Sequence, residues 1–216
     1  MKLKVPIVYQ KKKSSDCGPA VLSMVLNYYG QKLSVKELRK FIKVIKIGTY
    51  TPQLGLFLIK NGFDVEIVTL TPFLFTLRDK KLSQEGVVKR VDEMQKIYKT
   101  SKHRRTLKYF REFLKNGGGI KVAIPSPQDI KEEIKNKRPV IALLTSNVLF
   151  GIKPRFVFHF NVITGIDKKF VYINDPLPDK RGGFHKFKIN DYFFGIYASA
   201  FGDIDNAALI KIRPKK

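Results

Sequence analysis

One cysteine, a histidine in an apolar stretch and an aspartate at the end of the next are the residue types from which a thiol nucleophile can be built. Cys17 is the single cysteine among 216 residues and stands in "SSDCGPAVLSMVL", where a polar loop gives way to an apolar run. A cysteine in the first turn of a helix lies where unpaired backbone N–H groups and the helix dipole favour the thiolate. The same N–H groups can donate to an oxyanion formed beside the sulfur. Gly18 allows another backbone or a substrate to come close. A small cysteine that merely packs under a helix would need none of these features, so the nucleophile reading depends on finding a base.

The chain has three histidines. His103, in "SKHRRT", reads as a solvated surface residue, and His185, in "GGFHKFK", as a residue near a hairpin. His159 differs because "RFVFHFNVITGID" sets it in an apolar strand, where it is either a satisfied core histidine or a positioned base. The following strand, "KKFVYINDP", ends in Asn174 and Asp175 before Pro176. A turn at about Asp167 and Lys168 joins two antiparallel strands and sets Asp175 opposite His159. Such a cross-strand pair can fix the imidazole tautomer and stabilise its cation. Taken alone, Asp175 is also an ordinary turn residue before proline.

Helices early in the chain and strands late in it must hold these groups. Residues 4–9 read as an extended entry, since Pro6 resists a helix interior. A helix opens at Asp16 and Cys17, carries Pro19 in its first turn and closes at Gly30. A second begins at Ser34, with Glu37 completing a capping box, and a third, "TPQLGLFLIKNG", has Pro52 in its first turn and ends at Gly62. "FDVEIVTL" alternates as a strand. Residues 77–115 are charge-dense and helical, with Leu107, Phe110 and Leu114 on one face of a basic surface helix. Ser126 caps a further helix, "PVIALLT" and the two strands above follow, and "SAFGDIDNAALIKI" stays unassigned. This order points to an α+β domain rather than a parallel α/β sheet.

The formal net charge of +24 would draw the chain toward anionic partners by long-range attraction. The lysines are dispersed, however, and no nucleic-acid-binding motif accompanies them, so specific nucleic-acid binding is not expected. The positive surface favours acidic peptide substrates as an expectation. A lone cysteine makes no internal disulfide, and neither a signal-peptide h-region nor a spanning apolar run appears. A cytoplasmic protein without a membrane span is therefore expected. One cysteine and scattered histidines offer no metal-ligand spacing, so no cofactor is expected.

"DCGPAVLSMVLNYYG", "HFNVITGID" and "VYINDP" resemble, in this order, motifs of the papain-like cysteine peptidases related to the bacteriocin-processing, double-glycine-leader peptidases. The resemblance implies a papain-like α+β fold over residues 1–216 as a single domain. In it an N-terminal helical part packs on a C-terminal antiparallel sheet, and residues 77–125 are an unmatched helical insertion. It implies a cysteine peptidase with Cys17 as nucleophile, His159 as base and Asp175 as its orienting acid, acting on peptides after glycine-rich leaders. The family places an oxyanion-hole glutamine six positions before the cysteine, whereas Gln10 lies seven before Cys17, and a one-residue bulge in "KKKSS" would restore it. Amidase or acyl-transfer chemistry on the same triad, and a catalytically silent binding module, are the alternatives.

Overall fold

The run VIALLT has no polar alternation, and a strand of that kind must bury both faces. It forms β3 (Val140–Thr145), in which every residue is buried. In a computed structural model of the chain, residues 1–152 and 157–215 are described; Arg155 and Phe156, read above as the approach to the His159 strand, lie outside them. The other strands are β1 (Phe63–Thr69), β2 (Gly119–Val122), β4 (Phe158–Ile166), β5 (Phe170–Asp175), β6 (Gly183–Lys188) and β7 (Ala208–Pro214). They make a seven-stranded sheet in the order β2-β1-β7-β3-β4-β5-β6. β1 and β2 run parallel and every other neighbouring pair runs antiparallel. The molecule is a mixed α+β fold, as its sequence order suggests.

Helices cover both faces of the sheet. On one side Ile141, Leu143, Phe160 and Val162 share a core with α1 (Cys17–Tyr28), α3 (Thr51–Lys60), α4 (Gln84–Ile97) and α5 (Ser101–Lys115). On the other, Ala142, Leu144 and Ile163 pack against α6 (Pro127–Lys135) and α7 (Ile189–Ser199). The short α2 (Val35–Phe41) begins at the expected box, with Ser34 and Glu37 each accepting from the other's backbone N–H. Ser126 caps α6 in the same way through Asp129. Gly30 and Gly62 end α1 and α3 at φ +86° and +88°, left-handed values that favour glycine.

Residues 77–125 are not wholly helical. They contain a 3-10 turn (Leu77–Lys81), α4, α5 and also β2, which pairs with β1 from Glu66↔Gly119 to Thr69↔Val122. The apolar face of α5 is core rather than surface: Leu107, Phe110 and Phe113 are fully buried. Phe113 lies so close over Gly55 and Gly118 that a Cβ at either would meet its ring at 2.7 or 2.4 Å. The stretch left unassigned is also ordered, as the end of α7, a tight turn through residues 201–207, and β7, which enters the sheet between β1 and β3. Among the described residues no helix is long and apolar enough to cross a membrane.

Candidate active site

Cys17 is the first residue of α1 and half-buried. Ala20 N–H donates to the Asp16 carbonyl at 2.9 Å as the first helical bond. Helix geometry therefore leaves the Cys17 and Gly18 N–H groups without an intrahelical partner, and Pro19 has no N–H to offer. Asp16 is anchored from the side by Arg39 at 3.1 Å. Gly18 is dictated by its neighbour, because a Cβ there would sit 1.9 Å from Thr49 Oγ1. The loop before α3 is thus pressed against the start of α1.

His159 is buried in β4, and its Nε2 lies 2.9 Å from Asp175 Oδ1. The same oxygen accepts the Leu177 N–H at 2.9 Å, which holds the carboxylate at the strand end. With Nε2 directed to Asp175, Nδ1 is the ring nitrogen left for Cys17, whose sulfur is near enough to act on the imidazole's protonation. Burial pushes the imidazole down, but the Asp175 carboxylate and the Cys17 sulfur push it up and prevail, raising it from 6.5 to about 10. The expected direct cross-strand pairing is not what brings the two together. Asn174 faces Val162, so Asp175 is in register with position 161, two residues along from His159. The β4–β5 register shifts between Ile163 and Gly165, and the pair meets diagonally, a separation that side chains of this length can span.

Gln10 is buried although Lys11, Lys12 and Lys13 after it are exposed. The entry segment is strapped along the sheet: Leu3 N–H donates to Thr164 O at 2.7 Å, Asn174 Nδ2 to Val5 O at 2.8 Å, and Gln10 N–H to Pro176 O at 2.8 Å. Gln10 therefore stands beside the strand end that carries Asp175. A turn closed by Ser14 N–H on Lys11 O (3.1 Å), with Lys13 at φ +60°, takes up chain between Gln10 and Cys17. Gln10 Nε2 donates to Ser14 O at 2.8 Å and its Oε1 has no partner. One amide hydrogen remains for another acceptor.

His103 and His185 are engaged elsewhere. His103 is half-buried, edge-on to Tyr98 with ring centres 4.7 Å apart, and His185 Nε2 lies 3.0 Å from Gly182 O. Beneath β4 and β5, Tyr192 of α7 is fully buried and donates to Asn161 Oδ1 at 2.7 Å. Neither residue carried a sequence signal beyond its apolar setting. Also unforeseen is a cavity of about 210 Å³ beside Cys17, whose lining includes Tyr50, Asp203 and Asp205. Asp205 accepts the Thr51 N–H at 2.6 Å, and burial, reinforced by the neighbouring Asp203, pushes its carboxyl up to about 7. The Asp-x-Asp spacing in "GDIDN" is visible in the sequence, but nothing local links it to residue 17. Among the described residues no group of three or more His, Cys, Asp or Glu side chains is gathered as a metal site would require.

Known structures share this architecture. The peptidase domain of Streptococcus ComA, described as a bifunctional ABC transporter involved in quorum sensing, is 20% identical at a TM-score of 0.51, covering 99% of this chain and 98% of that one. A double glycine motif protease from an AMS/PCAT transporter, solved with its leader peptide, is 17% identical at 0.52, covering 99% and 94%. A C39-like peptidase from Bacillus anthracis is 14% identical at 0.58, with full coverage of both chains. At these identities the likeness is one of fold. No curated protein matches the sequence. The model of the Peptidase_C39 like family, however, matches residues 2–199, running through the 77–125 segment, and the chain belongs to that family.

Proposed function

We propose that the chain is a cysteine peptidase in which Cys17 attacks a peptide carbonyl, His159 handles the proton and Asp175 holds the imidazole. The observation that carries this reading is the 2.9 Å contact from His159 Nε2 to Asp175, with the Cys17 sulfur in reach of the same ring. In the first half-reaction the thiolate adds to the carbonyl carbon, the imidazolium gives its proton to the leaving amine, and a thioester forms as the C–N bond breaks. In the second, His159 takes a proton from water, the hydroxide adds to the thioester carbonyl, and the acid leaves as the C–S bond breaks. The Cys17 N–H and the free hydrogen of Gln10 Nε2 donate to the oxyanion. Peptides with a double-glycine leader are the substrate class this reading favours, by similarity to the neighbour described as a double glycine motif protease and solved with its leader peptide.

The test is hydrolysis of peptides with a double-glycine site, followed by mass spectrometry, alongside the iodoacetamide alkylation rate of Cys17. Specific cleavage that is absent in Cys17→Ala, with alkylation slowed in His159→Ala, is expected. Alkylation at the rate of an ordinary thiol in both proteins would move the silent binding module to the front.

A further inference from the structure

We propose that the cavity beside Cys17 is a subsite for a cationic group, the ammonium or guanidinium of a basic residue next to the scissile bond, and that Lys102 is its resident counter-ion in the free protein. This rests on the peptidase reading of Cys17 and names a substrate feature for it. The chain carries a net charge of +24, yet the wall facing its cysteine presents two carboxylates, with Asp203 5% and Asp205 3% exposed. Burying two like charges side by side is unfavourable unless a cation meets them.

The protein's own ammonium occupies that place. Lys102 Nζ lies 3.1 Å from Asp203 Oδ2 and donates to Gly202 O at 3.3 Å, while nearly half of its side chain is open to solvent. A half-exposed pair of this kind is weak and readily exchanged. Its position also breaks a local rule. Lys102 stands in the first turn of α5, which has no acidic residue, although a cation there opposes the helix dipole. Among the described lining residues Lys102 is the one cation against two carboxylates, so above about pH 7, where Asp205 gives up its proton, the lining carries a negative balance; Arg105, also near Tyr50, is exposed.

The remaining wall suits the stem and head of a basic side chain. Tyr50, Phe158 and Phe160 line the cavity, offering aromatic surface to an alkyl stem or a cation. Tyr50 is 4% exposed and its hydroxyl finds no partner of good geometry, since the neighbouring Thr106 hydroxyl is turned to the Lys102 carbonyl at 3.2 Å. The volume of about 210 Å³ admits one side chain rather than a folded segment.

The experiment alkylates Cys17 at about pH 8, above the Asp205 titration, with three chloroacetamides of matched length, N-(4-aminobutyl), N-pentyl and N-(4-carboxybutyl), and follows the adducts by mass spectrometry at salt high enough to screen the overall field. The ammonium probe is expected to react roughly tenfold faster than the neutral one, the scale of one charged hydrogen bond, and the carboxylate probe slowest. The cation-to-neutral ratio rises in Lys102→Ala, where the resident cation is gone. It falls toward one in Asp203→Asn combined with Asp205→Asn. A ratio near one in both the native protein and Lys102→Ala overturns the subsite, as does a ratio that survives the double substitution. The neutral probe alone judges the nucleophile: a rate no faster than free cysteine defeats the peptidase reading and leaves the ratio to decide the subsite.

Discussion

Cys17 stands between two walls, each with a buried carboxylate, and the two carboxylates do opposite things. On the β4–β5 side Asp175 faces an imidazole at 2.9 Å, and the interaction appears as a raised histidine. On the other side Asp205 has backbone and hydroxyl hydrogens from Thr51 but a second acid, Asp203, beside it, and its own carboxyl is raised instead. Depth is the same in both cases, since neither side chain is appreciably open to solvent. The partner decides what burial does: beside Asp175 an imidazole holds its proton, and beside Asp203 the Asp205 carboxyl does.

Breaking the first wall has the largest effect. Asp175→Asn, which keeps the shape but loses the charge that holds the imidazole, is expected to lower kcat by about 10⁴-fold in peptide hydrolysis. Gln10→Ala removes a neutral donor, and turnover should fall ~100- to 1,000-fold with the fold intact by circular dichroism. An undiminished rate would remove Gln10 from the oxyanion site. Gly18→Ala drives a methyl into Thr49 Oγ1. Thermal unfolding should report a loss of about 1–3 kcal/mol, partly restored by Thr49→Ala in the same chain.

The smallest effect sharpens the second wall. Asp205 keeps its proton in the folded protein up to about 7, whereas an ordinary aspartate releases it near 3.8. The folded state therefore binds more protons across that window, and this group makes stability fall as pH rises through it. Facing Asp205 are Asp203 in the same turn, the Thr51 N–H at the start of α3 and, across the cavity, Lys102 of α5 paired with Asp203. In Asp205→Asn, urea unfolding between about pH 4 and 7 should show a flatter profile. An unchanged slope would mean that the carboxyl is ionised throughout.

The elements that carry Cys17, His159 and Asp175 were legible because their signals are local. Cys17 announces its helix through Pro19 and the apolar positions after it, and the strands around His159 and Asp175 announce themselves by apolar composition and a shared turn. Their exact alignment was not legible, because the irregularity between Ile163 and Gly165 is a tertiary accommodation: a Cβ on Gly165 would come within 2.7 Å of the Met1 carbonyl. Phe113 was overlooked as core for a similar reason, since the space for its ring is made by Gly55 and Gly118. β2 is four residues long, too short to show a period, and forms because β1 offers it an edge. Asp203 and Asp205 lie more than 180 residues from Cys17 in a polar turn, and only the fold makes them its neighbours.

The placement of β7 has a consequence in time. This strand, Ala208–Pro214, separates β1 from β3 and bonds to both. Until it has been synthesised, the β1–β2 pair and the β3–β6 ribbon are two fragments with open edges facing a gap. A ribosome would release Cys17, His159 and Asp175 before the strand that joins the two fragments, and the long-range pairing that follows is slow by nature. Completion of the sheet waits for β7 in this arrangement, so the strand that closes the gap is the last of the seven to join.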